Sequence, residues 1–159
     1  MPRLPAASLN RIPSLLTLAF TLALSLPATT QAGQADFDEV MAAQMALWAD
    51  TGMNAALLEQ VSQGADIFAT TCAVCHGDLG EGGSGYAHPI INTRGLDKFR
   101  TAQRLFLYNR DMMPFNDPGS LLPEEAWRVT AWLMAMNGWL NDVTGPLSAE
   151  NARGVGISD

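Results

Sequence analysis

The sequence is short of the residues from which most metal, redox and nucleic-acid sites are built. It has two cysteines, Cys72 and Cys75, and two histidines, His76 and His88. Its 9 basic residues face 16 acidic ones, a formal net charge of −7. So little positive charge argues against nucleic acid and anionic lipid as partners. There is no strand-helix alternation, no internal repeat and no low-complexity stretch. What remains is a chain of 159 residues with 48% hydrophobic and 16% charged side chains, enough for one globular domain.

An apolar run does occur near the start, from Leu15 to Leu26, preceded by Arg3 and Arg11. Thr30, Gln31 and Ala32 follow with small residues suited to cleavage before Gly33. The pattern is that of a secretory signal over residues 1–32. The run is too short to span a hydrocarbon core of about 30 Å as a helix, so no stable membrane insertion is expected, with an uncleaved anchor as the alternative. Removing residues 1–32 takes away two of the 9 basic residues and no acidic one, which leaves 7 against 16 and a net charge of −9.

The two cysteines fall in Cys72-Ala73-Val74-Cys75-His76. This C-x-x-C-H spacing is the pattern of c-type haem attachment. Two thiols three residues apart on a helical turn can add to neighbouring vinyl groups of one porphyrin, and the next residue sets an imidazole under the iron. Rival readings fit less well. Structural zinc needs four ligands, and only His88 is left to join the motif. A thioredoxin-like pair expects strands. A disulfide is compatible with an oxidising compartment but closes too short a loop to constrain the unfolded chain much, and it leaves His76 without a role. One covalently bound haem c is therefore the expected cofactor.

The rest reads as helices joined by Gly- and Pro-rich loops. Asp36 to Glu39 resembles a capping box opening a first helix, with Phe37, Val40, Met41 and Trp48 on one face. A second helix from about Asn54 carries the stripe Leu57, Val61, Ala65, Phe68 and Cys72. Residues 77–95, with six glycines, form a loop. Thr101 caps a short helix through Asn109 that turns Ala102, Leu105 and Phe106 inward. Pro123, followed by Glu124 and Glu125, starts a last helix with Val129, Trp132, Leu133 and Met136 inward. Glu124 is placed to pair with Arg128, and Gly138 to end the helix. Met41, Met45, Met134 and Met136 are packing residues on this reading. The organisation is a signal over 1–32, a helical extension over 33–56, a haem domain over 57–142 and a flexible tail over 143–159.

A second axial ligand has to come from a loop crossing the other haem face, and methionine there raises the potential. Met113 precedes Pro114, which holds the residue before it extended. Met112 and His88 are the alternatives. Metal-bound imidazoles usually donate their other N–H to a carbonyl, and a carbonyl near Pro89 is the candidate acceptor for His76.

Several of these segments together resemble the class I, mitochondrial cytochrome c-like cytochromes. Gly64-Ala65-Asp66-Ile67-Phe68 before Cys72-Ala73-Val74-Cys75-His76-Gly77 is similar to their first helix, whose glycine and aromatic pack on the C-terminal helix; Trp132 is the matching aromatic. Met113-Pro114 and Leu121 through Leu133 are similar to the distal loop and last helix, and Pro89 lies near the family's proline. Leu122 departs from the pattern, since a Ser or Thr cap is common there, and capping comes from Ser120 or not at all. The resemblance covers roughly residues 60–140 and implies an all-α, cytochrome c-like domain wrapped around one haem, with an extra N-terminal helix. The loop from Met113 to Leu121 further resembles monohaem cytochromes that accompany periplasmic oxidoreductases of the sulfite dehydrogenase and quinoprotein alcohol dehydrogenase types. That implies a non-enzymatic periplasmic electron carrier, or the electron-accepting subunit of such an enzyme. Its expected partners are a dehydrogenase and a downstream cytochrome or oxidase. The alternative is an open iron site that binds small ligands or reduces peroxide, with the Gly-rich loop and Arg94 or Arg110 supplying distal polar groups.

Overall fold

The computed structural model describes residues 32–157, and the expected signal lies almost wholly outside them. The described residues form five α-helices: α1 (Ala32–Asp50), α2 (Ala55–Ile67), α3 (Ala73–His76), α4 (Ala102–Met112) and α5 (Pro123–Met136). A 3-10 helix spans Arg94–Phe99. The described residues contain no strand, only an isolated bridge between Thr101 and Gly156.

Helices start where side chains can satisfy the free N–H groups of a first turn. Asn54 Oδ1 accepts from the N–H groups of Ala56 and Leu57. Thr101 Oγ1 accepts from Arg104 N–H at the head of α4. At α5 the Glu125 carboxylate reaches back to the Leu122 N–H at 2.8 Å, so Glu125, and not Ser120, caps this helix. Its other end closes as predicted. Gly138 adopts φ +77°; its N–H donates to Ala135 O and that of Trp139 to Met134 O, a Schellman ending.

Helices α2 and α5 cross at Gly64, buried where the two backbones meet. A Cβ built there would lie 2.0 Å from the Arg128 carbonyl oxygen. One turn on, Phe68 and Trp132, both fully buried, stack with ring centroids 4.0 Å apart. Such a pair adds about 0.5–1.5 kcal/mol beyond the burial of each ring. Helix α4 lies along α5, where Phe106 stacks on Trp127 at 3.7 Å and 6°.

Helix α1 covers the far side of this core through Phe37 and Met41. It begins ahead of Asp36, so the expected capping box falls inside it. Val40, expected inward, is 41% exposed. At about 100° per residue, Met41 and Trp48 lie within about 40° of Phe37, whereas Val40 lies about 60° off on the other side of the stripe.

Two further expectations are corrected. Glu124 and Arg128 do not pair; the ion pairs among the described residues are Arg94–Asp97 and Arg110–Asp111. The tail is docked. Leu147, Ala152 and Ile157 are buried, and the Gln60 amide both donates to Leu147 O (2.9 Å) and accepts from its N–H (2.8 Å). The N–H groups of Ala102, Gln103 and Ile157 bond Val155, Ala152 and Arg100 carbonyls, which ties the tail to the head of α4.

Candidate functional site

The cysteine motif sits at the end of the helical run that begins with α2. Between α2 and α3, residues Phe68–Cys72 form one π turn in which Ala73 N–H donates to Phe68 O. Gly77 then leaves the helix at φ +83°. The glycine loop folds back over the motif: Gly82 N–H bonds His76 O at 2.7 Å, and Tyr86 N–H bonds Cys75 O at 2.9 Å. Side chains are excluded here. A Cβ on Gly85 would lie 2.5 Å from Cys75 Sγ, and one on Gly83 2.8 Å from Cys75 O. Asn137, at the end of α5, clamps the far end of the loop. It donates to Ile90 O at 3.1 Å and accepts from Asn92 N–H at 2.9 Å.

Between this motif, α4, α5 and the segment after α4 lies a cavity of about 510 Å³. Phe68, Leu96, Leu105, Val129 and Leu133 supply apolar wall, and Cys72, Cys75, His76 and Met113 all line it. No disulfide joins the two cysteines. Burial, with Cys75 beside it, pushes the Cys72 thiol up to about 12. Burial also lowers the pKa of His76, which favours a neutral ring with a lone pair to offer. His76 Nδ1 is buried with no hydrogen-bond partner, the kind of group that calls for an acceptor or a metal.

Met113 follows the last residue of α4 with φ −119° and ψ 151°, extended as expected before Pro114, and the bond between them is cis. Met112 is the last residue of α4 and does not line the cavity; it is 51% exposed. His88 is exposed, with its ring edge-on to Tyr86, and is also outside the cavity. The structure thus separates both alternative ligands from the site. Pro89 O lies 3.5 Å from where a Cβ on Gly95 would stand, and no hydrogen bond joins it to His76. Arg94 and Arg110 bond Asp97 and Asp111 and line no part of the cavity.

Lys98 and Asn109 are among the lining residues that were not foreseen. Lys98, the only lysine in the sequence, is the one Lys, Arg, Asp or Glu side chain in the cavity wall. It lies 5.2 Å and 5.8 Å from the ring centroids of Phe99 and Tyr108. Asn109 is buried, and its Nδ2 donates to Thr130 Oγ1 at 2.9 Å. A signal for it existed: Asn109 stands four residues after Leu105, a polar residue on the apolar stripe of α4.

Residues 59–133 match the family described as "Cytochrome C oxidase, cbb3-type, subunit III". Thiosulfate dehydrogenase of Stutzerimonas stutzeri (strain A1501) is 35% identical over 82 residues, covering 46% of this chain and 26% of that protein. The crystal structure of the sulfane dehydrogenase SoxCD from Paracoccus pantotrophus superposes with a TM-score of 0.50 at 26% identity, over 61% of this chain and 52% of that one. The chain therefore spans about a quarter of the curated relative and about half of the solved one.

Proposed function

We propose that the chain, which matches a cytochrome family over residues 59–133, is a periplasmic monohaem electron carrier or the electron-accepting subunit of a periplasmic oxidoreductase. One observation carries this reading: two thiols, a half-buried imidazole whose buried nitrogen is unpartnered, and a thioether converge on one largely apolar cavity. That donor set fits haem c. Bound there, the haem would supply an iron that takes up and releases one electron at a time.

The residues divide the work. Cys72 and Cys75 would hold the porphyrin by thioether links, and Gly85 leaves room beside the Cys75 sulfur. His76 and Met113 would hold the iron through a nitrogen and a sulfur, a donor pair that would limit rearrangement during transfer. Phe68, Leu105, Val129 and Leu133 exclude water. Lys98 offers a cation to a haem carboxylate. The two relatives are named as dehydrogenases, which supports a dehydrogenase as donor and a downstream cytochrome or oxidase as acceptor. The N-terminal signal expected over residues 1–32 supports the compartment.

Absorption spectra of the purified protein, oxidised and reduced, test the ligation. A low-spin spectrum with a weak near-infrared sulfur-to-iron band, lost in Met113→Ala, is the expected result. A high-spin spectrum in the unaltered protein overturns the His76/Met113 assignment and brings forward a site that binds small ligands.

A further inference from the structure

Positive charge is unevenly placed along the chain. Between Gly33 and Thr93 there are eight acidic residues and no Lys or Arg, whereas Arg94 to Arg110 holds five of the seven basic residues that follow the expected signal. Arg94 and Arg110 are paired with Asp97 and Asp111. Arg100 and Arg104 are exposed, and no acidic side chain among the described residues bonds either. The docked tail adds a third cation. Arg153 is exposed, and its Nε donates at 2.9 Å to Oε1 of Gln103, the residue before Arg104. The nearest acid on the tail, Glu150, is bonded to Ser148. Three arginines thus gather at the head of α4, a helix with no acidic residue in its first turn. The amino end of a helix carries positive potential, which opposes cations there, so helix formation does not account for them.

This surface borders the cavity. Lys98, two residues before Arg100, and Tyr108, one turn after Arg104 on α4, both line it. It is not a pocket for a free anion, because the N–H groups that open α4 are already bonded: Ala102 to Val155 O, Gln103 to Ala152 O and Arg104 to Thr101. Exposed guanidinium groups suit carboxylates spread over a surface, which they bond bidentately. Resting on the reading of the chain as an electron carrier, we propose that the head of α4 and the tail together form the docking face for a redox partner with an acidic surface. On a chain of net charge −9 without residues 1–32, this positive face orients the approach of such a partner and brings the cavity edge to it.

Two probes test the face on the purified protein. Poly-L-glutamate, followed by calorimetry at low salt, is expected to bind the unaltered protein. It should bind the Arg100→Gln/Arg104→Gln/Arg153→Gln variant about 10-fold more weakly, because the charge-assisted contacts are removed. The reduced, haem-loaded protein is then oxidised by ferricyanide, an anion, with the rate read by stopped flow. That rate is expected to fall as salt is added, and at low salt to be roughly 10-fold lower in the variant. Tris(phenanthroline)cobalt(III), a cation, should lose no speed in the variant. An acidic chain with no positive face at its electron-exchange edge repels ferricyanide and gives the opposite salt trend. That trend in the unaltered protein overturns the proposal, as does the absence of any difference in poly-L-glutamate binding between the two proteins. Pelleting with phosphatidylglycerol vesicles under conditions where poly-L-glutamate does not bind assigns the face to lipid and overturns it too. A colourless purified protein is a different failure, that of the haem reading, and the poly-L-glutamate comparison still decides the face.

Discussion

The indole Nε1–H of Trp132 donates to Met41 Sδ at 3.4 Å. This contact joins the N-terminal helix α1 to the side chain at the centre of the α2–α5 crossing, since the same indole ring also packs against Phe68. Met41→Ala should therefore cost about 2–5 kcal/mol through the cavity it leaves. Met41→Leu, which keeps the volume, should cost less than about 1.5 kcal/mol. Denaturant unfolding of the haem-loaded protein gives both numbers, and amide exchange should show α1 loosened in the alanine variant.

Gly64→Ala should be far worse than a methyl group suggests. The new Cβ meets backbone, the Arg128 carbonyl, with no side chain to swing aside. Helices α2 and α5 have to part, opening the Phe68–Trp132 stack as well. A loss of at least 3 kcal/mol is expected, the upper end of overpacking costs, and it is read as a lowered denaturation midpoint.

Gly85→Ala should act on cofactor attachment. Its Cβ would fall on Cys75 Sγ, crowding the sulfur that has to form a thioether. The expected outcome is a lower haem-to-protein ratio in purified material, measured as the alkaline pyridine complex. Gly145→Ala, where nothing lies within 4 Å of the added atom, should load normally.

Gln60→Ala should free the tail. Both bonds between the Gln60 amide and Leu147 vanish, which at about 0.5–1.5 kcal/mol each is enough to expose residues beyond Thr144. Limited proteolysis should then cut near the Ser148–Asn151 turn in the variant and spare the original protein.

What could be seen in the sequence was what sequence-local physics determines. The Cys72–His76 spacing states its chemistry because covalent attachment and ligation act within one helical turn. Asn54, Thr101 and Pro123 mark helix starts through bonds or ring geometry within a few residues. Met113 could be preferred to Met112 because Pro114 dictates the backbone just before it. What escaped notice depends on distant partners. The tail is docked by Gln60, 87 positions away from Leu147; Asn109 is held by Thr130, 21 positions on. Val40 was misplaced because a stripe's edge is defined by the surface it packs on, and periodicity alone does not show which edge is covered.

The π turn at Phe68–Cys72 takes up one residue without turning the rest of the helical run. A turn of this kind holds one residue more than an α-helical turn, and each residue of regular helix advances it by about 100°. Were the segment to tighten into regular α-helix with nothing deleted, Leu57 through Phe68 would keep their faces, while Cys72, Cys75 and His76 would swing together by about a quarter turn, away from the cavity. Deleting Thr70 would let the same tightening occur with those three residues left on nearly the same face. The widened turn thus keeps the half of the helix that packs and the half that binds in step across one surplus residue. A chain lacking that residue should still colour, and one with a second residue inserted there should fold and stay colourless.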